Sequence, residues 1–147
     1  MTRRWLVEPF VEAAGPTVLF ADGGTGKSLT ALAIACGLAA GQGIVGKVHG
    51  DARPVLYLDW ETDAATTSER MHAICWGAGI GQLPAVHYRR QVASLDASAQ
   101  EIRREVFRLH AGLVVVDSLG AARGGEPESA DLTIRTFNAA RTFGVPV

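Results

Sequence analysis

The chain has 147 residues, 48% of them hydrophobic and 20% charged, the balance of one globular domain able to bury about 68–70% of its unfolded surface. Its 17 glycines and 6 prolines fall below the roughly 25–30% of low-complexity chains, which excludes a disordered tail. With 14 Lys and Arg against 15 Asp and Glu, the formal net charge is −1, so no global basic field draws the chain to nucleic-acid phosphates and any such contact has to be local.

At the N-terminus Arg3 and Arg4 precede a stretch that Glu8 and Glu12 interrupt, unlike the unbroken apolar core of a secretory signal. The longest apolar run, Ala31 to Ala40, is half of the roughly 20 residues that cross a bilayer, so no membrane segment is expected. Cys36 and Cys75 stand apart from any CxxC or Cys/His spacing. They read as small core residues in a reducing compartment, and the expected location is cytoplasmic.

Pro16-Thr17-Val18-Leu19-Phe20 is predicted to be a strand leading into the glycine-rich stretch Ala21 to Gly26. Leu29, Leu32, Ala33, Cys36 and Ala40 then recur at helical spacing until Gly41. After a Gly-rich connector, Val55-Leu56-Tyr57-Leu58 is a continuous apolar run, the mark of a parallel strand covered on both faces. From Thr66 the pattern turns helical, with Met71, Ile74, Cys75 and Ala78 on one face, and Ala85 to Tyr88 is a weaker strand. Asp96 or Ser98 is expected to cap a helix that buries Ile102, Val106 and Leu109, exposes Arg103, Arg104 and Arg108, and ends at Gly112. Leu113-Val114-Val115-Val116 is a third buried strand. A polar loop through Gly124-Gly125 follows, then a helix from about Ser129 that buries Ala130, Ile134 and Phe137. Strands alternating with helices predict an α/β fold, a parallel sheet with helices on both faces. Val145-Pro146-Val147, after the turn residue Gly144, reads as the start of a further strand, so residues 1–147 are expected to be the N-terminal part of a single core truncated at that point.

Ala21-Asp22-Gly23-Gly24-Thr25-Gly26-Lys27-Ser28 fits the phosphate-loop pattern GxxxxGK(S/T) with Ala in place of the first Gly, and it lies between an expected strand and helix as that loop requires. Gly23, Gly24 and Gly26 let backbone N–H groups converge on an anion, the helix starting near Lys27 adds its positive end, and Lys27 brings a point charge. Ser28 is placed to ligate Mg²⁺. The carboxylate of Asp22 is expected to point away from phosphates, leaving only its backbone toward them, and Ala21 needs a backbone angle open to Ala. Four apolar residues carry Asp117 to the carboxyl end of a strand, where open α/β sheets bind ligands, and Asp117 is expected to hold Mg²⁺ through water.

The segments ADGGTGKS, VLYLDWET and LVVVDSLGAARGG follow in that order, and over nearly the whole chain the sequence resembles the RecA-like branch of P-loop ATPases, within it the RepA-type replicative helicases and related phage ATPases. The resemblance implies a RecA-like core that binds ATP with Mg²⁺ through Asp22, Gly23, Gly24, Thr25, Gly26, Lys27, Ser28 and Leu29, with Ser28 and Asp117 as the metal residues. It implies a catalytic glutamate on the strand after the phosphate-loop helix. Ser118, following Asp117, cannot act as a base, whereas Glu61 follows Asp59 and Trp60 at the end of a buried strand. Glu61 is therefore the expected base, with Lys27 absorbing transition-state charge. Asp59 and Asp63 are its rivals, and strand alternation sets Asp59 and Glu61 on one side. The resemblance further implies a homo-oligomeric ring or filament, an arginine donated by a neighbouring subunit, and work on single-stranded DNA in replication or recombination. The competing class is a regulator or loader that binds ATP and turns over slowly; a small-molecule kinase ranks third, because no acceptor pocket or lid is evident.

His49, His72, His87 and His110 share no ligand spacing and are expected at the surface or in packing roles. Trp5, Trp60 and Trp76 lack interleaved basic residues, so packing is favoured over base stacking. The loop Ala121 to Ser129, with Arg123 opposite Glu126 and Glu128, occupies the place of loops that approach DNA in RecA-like assemblies, and a plain solvated loop is the favoured reading.

Overall fold

The computed structural model describes residues 2–124 and 129–147. In chain order the elements are β1 (Trp5–Glu8), β2 (Val11–Glu12), α1 (Lys27–Ala40), β3 (Lys47–Val48), β4 (Val55–Asp59), α2 (Ala64–Gly77), β5 (Val86–Arg90), α3 (Leu95–Leu109), β6 (Leu113–Asp117), α4 (Leu119–Ala122) and α5 (Ala130–Arg141). Among the described residues no helix is long and apolar enough to cross a membrane.

The all-apolar strand lies where its composition demands. Every residue of β4 is buried, and β4 is the middle of a parallel sheet ordered β5-β4-β6. Its alternation distributes two cores: Val55 and Tyr57 join Leu32, Cys36, Leu38 and Cys75 from α1 and α2, while Leu56 and Leu58 join Ile102, Val106, Ala139 and Ala140 from α3 and α5. Helices therefore cover both faces, as expected for an α/β fold. Burying Leu56 and Leu58 alone contributes about 1.5–3 kcal/mol each from the apolar area removed from water. Parallel pairing holds Asp59 level with Arg90 on one side and with Asp117 on the other.

Several expectations are corrected. Pro16–Phe20 forms no strand. The C-terminal residues 146 and 147 run between it and β6, making one hydrogen bond to each side: Val114 N to Pro146 O (3.0 Å) and Thr17 N to Val147 O (2.8 Å). One bond per side is too little to build a ladder, and Val18, Leu19 and Phe20 stay exposed, Phe20 at 90%. The same shortfall leaves Val115, Val116 and Asp117 of β6 only half-buried. The connector before β4 holds the short β3, which with β1 and β2 forms an antiparallel sheet ordered β2-β1-β3 that the sequence pattern did not suggest.

Ser94, rather than Asp96 or Ser98, caps α3, its hydroxyl accepting from Ala97 N (3.3 Å). That helix ends at Leu109, with His110 rather than a glycine in the left-handed conformation (φ 50°). On α5 the buried residues are Thr136, Ala139 and Ala140, whereas Ala130 is exposed and Ile134 is 59% exposed. The helix packs on α3 through its C-terminal half, where two alanines permit close approach. Thr136 is buried at little cost because its hydroxyl donates to Leu132 O (2.8 Å). The polar loop after β6 begins with the one-turn α4, and Arg123 is not solvated as expected but partly buried, donating to Thr133 Oγ1 (2.9 Å). Gly125, Glu126 and Glu128 lie outside the described residues. Trp60 packs into the core with Nε1 donating to Ala93 O (3.0 Å), whereas Trp76 is 88% exposed. Cys36 and Cys75 are both buried free thiols.

Candidate functional site

The N-terminus of α1 is unlike those of the other long helices. Asp63, Ser94 and Ser129 respectively cap α2, α3 and α5 with a side-chain oxygen, but the N-cap of α1 is Gly26, which offers no side-chain cap, and no acid lies in its first turn. Its leading N–H groups are thus left to a ligand or to water. The glycines explain the turn: Gly24 (φ 73°) and Gly26 (φ 91°) adopt left-handed backbone that a side chain would strain. Ala21 avoids it, since His110 is the sole non-glycine with positive φ among the described residues. Asp22 is exposed, and its carbonyl faces the loop interior. Lys27 Nζ donates to Ala21 O and Asp22 O (both 2.6 Å), and Thr25 Oγ1 donates to Asp22 O (2.7 Å).

Ser28 and Asp117, 89 residues apart, meet where α1 crosses the end of β6, Ser28 Oγ donating to Asp117 Oδ1 (3.1 Å). The other oxygen, Oδ2, accepts from Tyr57 (2.7 Å). Burial, followed by the nearby Asp117 charge and the hydrogen bond to it, pushes the Tyr57 phenol far above its ordinary range, so it remains a proton donor. One hydroxyl and one carboxylate are hard oxygen donors of the kind Mg²⁺ takes, and among the described residues no three His, Cys, Asp or Glu side chains converge on a common point. The pair fits a cation that keeps most of its shell as water and substrate oxygens.

Asp59, Glu61 and Asp63 have separate environments. β4 stops at Asp59, so strand alternation does not extend to Glu61 and cannot place the two on one side. Asp59 is 1% exposed. Its Oδ1 accepts from Glu61 N (2.8 Å) and Thr62 N (3.0 Å), and its Oδ2 accepts from the Tyr88 hydroxyl (3.0 Å). Three of the roughly four acceptor sites of that carboxylate are used, two of them by N–H groups of the turn that follows. Asp63 caps α2, accepting from Thr66 N (2.8 Å) and from its hydroxyl; the backbone bond foremost lowers its pKa below the usual carboxylate range. Glu61 is exposed, and its carboxylate accepts a hydrogen bond from the Ser118 hydroxyl, next to Asp117.

Lys27, Asp117 and Ser118 also line a cleft of about 210 Å³ between β6, Pro16–Leu19 and α5. This is far above the ~10–15 Å³ that admits one water, so it is a groove and not a packing fault. Leu29, on the first turn of α1, is 47% exposed. The tyrosines were missed at the sequence level; the available signal was Tyr57-Leu58-Asp59, which puts a phenol and a carboxylate on one face of a strand end.

A parallel sheet with helices on both faces, and a glycine loop opening an uncapped helix beside a strand-end carboxylate, define an α/β domain built around that loop. The chain belongs to the AAA domain family, whose model matches residues 1–145. Members of that family are nucleotide-dependent ATPases, and this is the activity class of the chain. No curated protein matches it.

Proposed function

We propose that the protein binds ATP with Mg²⁺ and hydrolyses it as a RecA-like motor of helicase type, coupled to DNA replication or recombination. The observation that carries the ATP reading is the 3.1 Å meeting of Ser28 with Asp117 at the uncapped N-terminus of α1, beside Lys27. The β- and γ-phosphates lie in the backbone N–H groups of Gly23 to Ser28, with Asp22 and Leu29 flanking them, and the Lys27 ammonium leaves its two carbonyls for phosphate oxygens. Ser28 and Asp117 would hold Mg²⁺, which supplies charge neutralisation on the transferred group. Glu61 is the base: it orients a water, takes its proton as the water oxygen bonds to the γ-phosphorus, and the bond to the bridging oxygen of ADP breaks. Asp59 serves Glu61 by holding its backbone N–H.

The replicative role, a ring or filament of identical subunits, a neighbour's arginine and single-stranded DNA as partner rest on the resemblance of ADGGTGKS, VLYLDWET and LVVVDSLGAARGG to RepA-type helicases. Residues 146 and 147 lie between Pro16–Phe20 and β6. The two hydrogen bonds at Val114 and Thr17 support that placement. Phosphate release over many turnovers, with Mg²⁺ or EDTA and with or without single-stranded DNA, tests the reading. Magnesium-dependent release that DNA accelerates is expected. Release at background level in every arm sinks hydrolysis, and release indifferent to DNA sinks the helicase assignment alone.

A further inference from the structure

Two tyrosines stand side by side in the sheet, Tyr57 of β4 paired in register with Tyr88 of β5. Each reaches diagonally to the acid two residues further along on the neighbouring strand. Tyr57 donates to Asp117 Oδ2 (2.7 Å) and Tyr88 donates to Asp59 Oδ2 (3.0 Å), and Asp117 and Asp59 are themselves register partners. Parallel register puts residues that are level with one another on the same face, so the arrangement repeats across β6, β4 and β5. Each phenol also touches one backbone carbonyl near its acid. For Tyr57 this is Ser28 O (3.5 Å), on the first turn of α1, and for Tyr88 it is Thr62 O (3.3 Å), in the turn after β4.

We infer that Tyr57 and Tyr88 are positioning residues with separate tasks, Tyr57 fixing the Ser28–Asp117 pair for the metal and Tyr88 fixing the turn that carries Glu61. The inference rests on the ATP and Mg²⁺ reading above. With Oδ2 occupied by Tyr57, the Asp117 carboxylate cannot rotate freely, and Oδ1 is left toward Ser28 Oγ, the side on which a cation is shared. Asp59 is too buried to meet a substrate. Its Oδ1 fixes the Glu61 and Thr62 N–H groups only while the carboxylate plane is held, and Tyr88 is the side chain that holds the other oxygen. Both phenols remain donors at neutral pH. Burial, then the bond to Asp59 and its charge, pushes Tyr88 up to about 12, and burial pushes Tyr57 still higher.

The test uses ADP as the probe, titrated by calorimetry into the whole chain with Mg²⁺ and with EDTA, alongside steady-state phosphate release. In Tyr57→Phe the strengthening of ADP binding by Mg²⁺ should shrink about tenfold, the loss of one hydrogen bond to a charged group, with affinity in EDTA unchanged. In an Asp117→Asn background the same substitution should change that strengthening less than about twofold. In Tyr88→Phe both ADP affinities should stay as in the wild type while kcat falls about tenfold. Each variant controls for the other, because a general loosening of the sheet would move both alike. Identical profiles from the two variants overturn the division of tasks. A Tyr57→Phe chain with wild-type magnesium dependence overturns the role of Tyr57 and leaves the ATP reading intact. A wild-type chain whose ADP affinity ignores Mg²⁺ overturns the metal reading itself and this inference with it.

Discussion

The two edges of β6 are built differently. Toward β4 it makes five register pairs, Leu113 to Asp117 against Val55 to Asp59. Toward Pro16–Phe20 the bond from Val114 N to Pro146 O joins it to the C-terminal residues, and a cleft opens beyond. The paired edge sets the acids: it levels Asp59 with Asp117 and lets Tyr57 reach Asp117. The open edge leaves the glycine loop tethered mainly through α1, whose first turn touches Asp117 by Ser28 and whose buried face, Leu32 to Leu38, is fixed in the core. Rigid acids and a loosely flanked loop are thus brought together by one helix, and each edge can be challenged separately.

The largest effect is expected on the paired edge. Glu61→Gln keeps size and hydrogen bonding but removes the proposed base, so phosphate release should fall about 10²- to 10⁴-fold while ATP still binds. Asp59→Asn should act more weakly, through the turn. If Asp59→Asn abolishes turnover and Glu61→Gln leaves it intact, the two acids have been assigned the wrong way round. Next comes stability. Leu58→Ala empties a fully buried site between β4 and α3 and should destabilise by about 2–5 kcal/mol in chemical denaturation, whereas Leu19→Ala on the open edge should stay within about 0.5 kcal/mol. Equal losses would mean that the loop segment is packed after all. On the loop itself, Lys27→Ala should weaken ATP binding by about 10- to 100-fold in calorimetry, since a charged donor to phosphate is removed. Unchanged affinity in a folded variant excludes the loop as the phosphate site. The smallest effect separates capped from uncapped helices: Ser94→Ala should cost about 1 kcal/mol of stability through the lost α3 cap, and Ser28→Ala, which caps nothing, should cost less in the thermal transition of the ligand-free protein.

The paired edge was also the more legible one. Val55–Leu58 and Leu113–Val116 are uninterrupted apolar runs, and only a strand covered on both faces tolerates so many. The offsets of Gly23, Gly24, Gly26, Lys27 and Ser28 announce their own loop. Pro16–Phe20 ends in the apolar run Val18-Leu19-Phe20, but pairing depends on a neighbour in space, which no local pattern records. On α5 the larger Ile134 marks a face that the structure leaves exposed, whereas close contact with α3 selects the small Ala139 and Ala140. Asp59 and Glu61 could not be ranked by spacing, since what separates them is the end of β4 and the bonds from Tyr88, Glu61 N and Thr62 N to one carboxylate.

The bonds of Lys27 to its own loop carry a kinetic consequence. With the ammonium already bonded to Ala21 O and Asp22 O, a polyphosphate bound as proposed would enter by exchange, displacing two partners before gaining its own. The affinity would then be a difference between two sets of charge-assisted bonds, smaller than the contacts of such a complex suggest. On release the same carbonyls would recapture the ammonium as phosphate departs.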